Sequence, residues 1–213
     1  MSKVFKSIAF DRSRVERELR ELDALLNDRP ELSETDDIHP FFKAREQLSA
    51  FFGTFLPDLG PATELAFEFP FFGDYRADLL VGNRATGEFL VVEFEDGRPE
   101  SIFKKQPRRT NAEWSVRFEH GFGQLVDWFF HLDDFKNTKN FANTFGHGHI
   151  RFSGLLVIGR NAGLDEAKRN RLKWRTEKVL IDSHPINCVT FDDLYTTLNT
   201  RIQMYRAASK QEK

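Results

Sequence analysis

Residues Phe67–Asp96 read FEFPFFGDYRADLLVGNRATGEFLVVEFED, and how this stretch closes on itself decides the fold. Two apolar runs, Ala77–Val81 and Phe89–Phe94, flank the polar, Gly-bounded segment Gly82–Glu88, which is the pattern of an antiparallel hairpin. Closure about Ala85 and Thr86 sets Val81 opposite Leu90 and Asp78 opposite Glu93, with Cβ atoms roughly 4.5–5.5 Å apart. Like charges opposed on adjacent strands are destabilising, and burial adds to the cost. The pair calls for a cation or a shared proton, and a divalent metal meets the first need.

Alternate side chains of a strand point the same way, so Glu93 and Glu95 share a face with Phe89 and Val91, while Leu90, Val92 and Phe94 enter the opposite layer. Asp78, Glu93 and Glu95 thus form a set of oxygen ligands suited to Mg²⁺ or Mn²⁺. Such an ion activates water and neutralises charge on a phosphate. The other reading open to these acids is a solvent-facing sheet surface, and it applies most directly to Glu95, which adjoins Asp96 and Gly97.

Outward from the hairpin, Leu65, Phe67 and Phe69 alternate and complete a three-stranded meander. Upstream, Val15, Leu19, Leu22 and Leu26 mark an amphipathic helix, with Ser13 and Glu16 spaced as a capping box. Asn27–His39 reads as an exposed acidic connection in which Glu31 and Glu34 are solvated, and Pro40 opens a second helix running to Phe55. Downstream, Gly97–Asn111 is basic and irregular. A helix follows from Glu113, in which Gly121 and Gly123 each cost about 1 kcal/mol against Ala and point to close packing or to backbone approach to a ligand. Asn137–Arg151 reads as a loop, Gly154–Gly159 as a buried central strand, Asp165–Lys178 as a basic helix, Asn187–Phe191 as a strand, and Asp192–Arg206 as a last helix. The order predicts an α/β fold with a mixed sheet.

The 213 residues suit one domain, and the 23 Phe are expected to build its core. A net charge of −2 provides no global pull on nucleic acid. The single Cys188 excludes an intrachain disulfide and a cysteine-based zinc site and fits a reducing, cytoplasmic setting. No run approaches the ~18 apolar residues of a membrane span.

An Asp, fourteen residues and then Glu-x-Glu at the end of the next strand resembles the PD-(D/E)XK nuclease signature. In that superfamily the Asp and the first acid of the second cluster hold metal, and a Lys two residues on helps the attacking water. Here the Lys position is Glu95, which departs from the pattern; Lys104 or Lys105 could supply a migrated ammonium, but both lie in a loop, where a solvated or phosphate-contacting role is the stronger reading. The words VVEFEDGRPESIF, EWSVRFEHGFGQLVDWF, FSGLLVIGR, RLKWR and NCVTFDDL, in this order, resemble the nuclease domain of the Shedu family of bacterial anti-phage proteins, from about Pro30 to Leu198. The resemblance implies a PD-(D/E)XK restriction-endonuclease-like mixed sheet flanked by helices. It also implies a metal-dependent DNA endonuclease or nickase, homo-oligomeric, acting in defence on a phage-derived or co-encoded trigger.

Carried onto this chain, the resemblance assigns Asp78 and Glu93 to Mg²⁺ or Mn²⁺, with Glu95, a third candidate ligand from the strand geometry, completing or tuning the site, and it adds Gln124 as a catalytic contact, with Trp128 one turn on. A packed, hydrogen-bonded Gln124 without catalytic consequence is the alternative. His120 reads either as a proton shuttle or as a capping or surface histidine. The helix-one Glu of some superfamily members has no match here, since Glu46 lies opposite the Phe face of its helix, and that ligand is left unassigned. His147 and His149 read as loop residues rather than zinc ligands. Lys104, Lys105, Arg108 and Arg109 are candidate DNA-backbone contacts, as is the basic helix, although half or more of the helix charges are expected to be solvated. The expected partition is a helix and acidic connection over 1–39, the nuclease-like domain over 40–208, and a tail over 209–213. A competing reading is a degenerate nuclease-fold module that binds DNA or protein without turnover.

Overall fold

The strand Glu88–Phe94 (β4) is buried at every position and divides the molecule into two layers. It pairs antiparallel with Arg76–Asn83 (β3), and Val81 stands opposite Leu90 as the hairpin closure requires. Asn83 Oδ1 accepts the Ala85 N–H, and Gly87 takes a positive φ of 75°, which together turn the chain between the strands. On its other side β4 runs parallel to Arg151–Val157 (β5).

The computed structural model describes residues 5–70, 76–104, 112–146, 149–181 and 184–211. Its seven-stranded mixed sheet adds Lys6–Ser7 (β1), Glu64–Pro70 (β2), Leu180–Ile181 (β6) and His184–Val189 (β7) in the order β1-β2-β3-β4-β5-β7-β6. Helices Arg12–Asp28 (α1), His39–Lys43 (α2), Glu46–Phe51 (α3) and Phe191–Gln211 (α7) accompany one face. Val116–Phe135 (α4), Lys139–Phe145 (α5) and Glu166–Lys178 (α6) accompany the other. This is the mixed α/β class expected, with helices on both sides of the sheet. No helix among the described residues is long and apolar enough to cross a membrane.

Phenylalanines build both layers. Leu90, Val92 and Phe94 enter the α1/α7 layer, where Phe42 stacks on Phe94 at 4.7 Å between ring centroids. Phe89 and Val91 enter the α4 layer, where Phe145 meets Phe89 edge-on at 5.1 Å. Offset and edge-on contacts add roughly 0.5–1.5 kcal/mol per pair beyond the area they bury.

Four local expectations change. The first helix is capped by Asp11, whose carboxylate accepts the Arg14 N–H, and not by Ser13. The predicted helix from Pro40 to Phe55 breaks between α2 and α3, because Arg45 leaves the helical conformation and the buried Glu18 carboxylate accepts the Leu48 N–H at 2.8 Å, starting a new helix. Asn137–Arg151 contains α5, short and polar but capped by Thr138 and stopped by Gly146 with φ of 92°. The acidic connection is not wholly exposed: Leu32 exchanges backbone hydrogen bonds with Gly97, and Glu34–Ile38 forms a π-helical turn that buries Ile38.

Candidate active site

Past the Leu79–Val92 pair the β3–β4 ladder stops, although the same register carried one residue further sets Asp78 opposite Glu93. There Asp78 Oδ2 accepts the Phe94 N–H at 2.8 Å, so a side chain replaces the next ladder bond. The neighbouring strand is distorted at the same level: Glu68 takes φ of 49°, and the β2–β3 register passes from Phe67–Leu79 to Phe69–Ala77 without pairing Glu68 to Asp78. A left-handed conformation costs a non-glycine residue about 1–2 kcal/mol and is concentrated at sites where geometry is imposed. The other Asp78 oxygen lies 3.3 Å from His39 Nε2 at the start of α2. That contact holds the His39 pKa above its ordinary value, against the opposing effect of burial.

Glu93 is 5 % exposed, and its Oε2 has no hydrogen-bond partner among the described residues. Burial first, then the Asp78 charge and hydrogen bonding to Asp78, push its pKa well above its ordinary value. Glu34, brought in by the π-helical turn, is raised for the same kind of reason: burial, then Glu95, then Asp78. Glu34 thus joins the acid cluster, and the sequence reading placed it in solvent because its position depends on the Leu32–Gly97 bridge and not on any local pattern.

Glu95 is 2 % exposed and its two oxygens are both engaged. Oε2 accepts from Arg117 Nη1 at 2.7 Å, and Oε1 lies 3.0 Å from His120 Nδ1. Arg117 Nη1 also donates to Glu34 Oε2 at 2.9 Å, and its Nε lies 3.2 Å from Asp96 Oδ2. One guanidinium thus spans three carboxylates, and these partners raise its own pKa further, Glu95 foremost. Helix α4 can come this close because Gly121 has no side chain: a Cβ there would stand 2.9 Å from Glu95 Cγ and 2.8 Å from Leu156 Cδ1. Arg117, His120, Gly121 and Gln124 recur at three- and four-residue spacing along α4. That stripe was the signal in the sequence that could have singled out Arg117.

Gln124 Oε1 is buried without a hydrogen-bond partner among the described residues. Lys104 lies 3.9 Å from Glu113, and Lys105, Arg108 and Arg109 fall outside the described residues, as does His147. His149 borders a groove of about 830 Å³ beside Glu88 and Arg151, at the opposite ends of β4 and β5 from the carboxylates. On the basic helix, Arg175 is occupied by a two-point pair with Glu119 at 2.6 and 2.7 Å and lies over the Phe122 ring. Arg171 lies over Phe103 and Trp114.

The donors gathered here are carboxylate oxygens, the chemistry a hard divalent cation selects. The partnerless Glu93 oxygen beside Asp78 fits that use, whereas Glu95 is taken up by Arg117 and His120. Among the described residues no three His, Cys, Asp or Glu side chains form a ready-made metal cage. The acids lie at the carboxyl end of β4, where it runs parallel to β5, the edge at which α/β sheets place their ligands.

A family model described as Shedu protein SduA, C-terminal, matches residues 31–195, from the connection before the π-helical turn into α7. A comparison with curated proteins finds no match. The matched span includes every element of the acid cluster and most of the chain, and the chain belongs to the Shedu family.

Proposed function

We propose that this chain is a divalent-metal-dependent DNA endonuclease or nickase acting in defence against phage or other foreign DNA. The observation that carries the proposal is the buried Glu93 carboxyl beside Asp78, with one oxygen lacking a partner among the described residues and its pKa pushed up by burial and then by the Asp78 charge. A buried carboxyl raised in this way beside a second carboxylate is suited to exchange a proton for a cation. Asp78 and Glu93 would hold Mg²⁺ or Mn²⁺, which when bound supplies Lewis-acid charge at a scissile phosphate. The protein's part is to fix these oxygens: the Phe94 N–H and His39 orient Asp78, and the sheet orients Glu93.

Supercoiled plasmid incubated with the full chain in Mg²⁺ or Mn²⁺ is expected to be nicked or linearised, and Asp78→Asn with Glu93→Gln to reduce the rate at least ~100-fold. Cleavage surviving in that double variant would refute the site. Divalent metal is also expected to raise the melting temperature in a concentration-dependent way, by about 2.7 kcal/mol of stability at a hundred times the dissociation constant. The competing reading, a degenerate module that binds without turnover, draws on the engagement of Glu95 by Arg117 and His120. It predicts no metal-dependent shift in wild type.

A further inference from the structure

The cation at this acid cluster comes from α4. Five acids, Glu34, Asp78, Glu93, Glu95 and Asp96, are gathered where a phosphodiester, itself an anion, would have to approach. A single divalent ion offsets only part of that charge. The strand position two residues after Glu93 carries another acid, Glu95, so β4 brings no ammonium of its own. Arg117 reaches the same place from the neighbouring layer, its guanidinium set against the Glu95 carboxylate at 2.7 Å.

The way Arg117 is held leaves part of it available. Nη1 serves Glu34 and Glu95, and Nε faces Asp96. A guanidinium has five N–H donors in a planar fork, and the two on Nη2 take part in none of these contacts. The side chain is 45 % exposed, against 2 % for the Glu95 side chain that anchors it. A buried acid thus fixes one edge of a cation while part of the side chain remains open to solvent. The N–H donors on Nη2 are left to serve a phosphate oxygen through a charge-assisted hydrogen bond.

We propose that Arg117, held by Glu95, is the phosphate-binding cation of this site, so that a Glu–Arg pair bridging β4 and α4 replaces a strand-borne lysine. The proposal rests on the nuclease reading above and adds a residue to it. In binding DNA, Arg117 Nη2 donates to a phosphate oxygen while Glu95 keeps the guanidinium in place. Glu95 is then a positioning residue, not a metal ligand.

The test compares two double variants of the full chain, chosen because neither leaves Glu95 as a buried charge without its partner. Arg117→Ala with Glu95→Gln removes both charges, and Arg117→Ala with Glu95→Lys moves the cation onto the strand. Plasmid cleavage is measured in Mg²⁺ and Mn²⁺. Affinity for a short duplex is measured by fluorescence anisotropy in EDTA over a range of salt. The neutral pair is expected to lose at least ~100-fold in kcat/KM and to reduce the slope of log affinity against log salt by about 0.9, one phosphate contact. The cationic pair is expected to recover at least tenfold of the rate, roughly, and the lost slope. Recovery by the neutral pair to the same extent would reduce Arg117 to a counter-ion for Glu95 and overturn the proposal, as would a slope unchanged by its removal. If wild type neither cleaves nor binds metal, the nuclease reading fails by itself, and the salt slope still decides whether Arg117 contacts phosphate.

Discussion

At the scale of single residues, burial of Glu93 near Asp78 favours a proton on Glu93. The folded-state pKa of Glu93 is raised from 4.5, so the folded protein binds this proton more tightly than the unfolded chain does. Its contribution to stability is therefore fully present below the ordinary carboxylate range and is lost as pH rises toward the folded-state value. His39, raised from 6.5 by Asp78, acts in the same direction at higher pH. In metal-free buffer the melting temperature is expected to fall from about pH 5 toward pH 8. Glu93→Gln, neutral and nearly isosteric, is expected to flatten that fall and to melt about 2–4 °C higher than wild type at pH 8, which corresponds to ~1 kcal/mol. A variant as pH-dependent as wild type in calorimetry would show that Glu93 does not carry the proton. The register that brings the two acids near each other was legible, as was their need for a cation or a shared proton, although the ladder stops one pair short of them. That the shift falls on Glu93 was not, because it depends on burial by layers drawn from both ends of the chain.

At the scale of the element, α4 carries more of the site than its own sequence suggests. Its two glycines look alike in GFG and behave differently. A Cβ on Gly123 meets nothing within 4 Å, and one on Gly121 meets Glu95 and Leu156. Gly123→Ala is expected to stabilise by about 0.4–1 kcal/mol through helix propensity and a less flexible unfolded chain. Gly121→Ala is expected to destabilise by about 1–3 kcal/mol, since Glu95 is pinned by Arg117 and His120 and yields poorly. Denaturant titration of the two variants checks the contrast, and equal effects would contradict the close approach of α4 to β4. The second helix shows the reverse lesson: the Phe41-to-Phe55 periodicity is continuous, yet the chain breaks at Arg45 because Glu18, distant in sequence, caps α3. Periodicity reports which side chains face the core, and it is silent about which backbone groups find partners elsewhere.

At the scale of the whole molecule, charge on the surface is not the same as charge available to DNA. The helix α6 is strongly basic in sequence, yet Arg175 is only 17 % exposed and holds α6 to α4 through Glu119 and the rings of Trp114, Phe118 and Phe122. Lys173, 72 % exposed, faces water beside Glu177. Arg175→Ala is expected to destabilise by ~2 kcal/mol, lowering the melting temperature about 4–8 °C, from lost cation–π and packing contacts. Lys173→Ala is expected to leave stability within about 0.5 kcal/mol of wild type. Thermal melts of both variants decide it, and an unchanged Arg175→Ala would mean that α6 is held by its apolar face alone.

What the sequence by itself determined is the hairpin, its register, the alternation of β4 between two layers and the family. Each depends on spacing within one strand pair or on an ordered set of words, and side-chain direction follows from the period of the backbone. What only the tertiary structure decided is who stands around the two acids. Glu34 arrives through a bridge between Leu32 and Gly97, His39 through the start of α2, and Arg117 through a helix that approaches over Gly121. Those groups are brought together by packing across layers. Burial of unlike segments against one sheet sets their distances, and no local period encodes it.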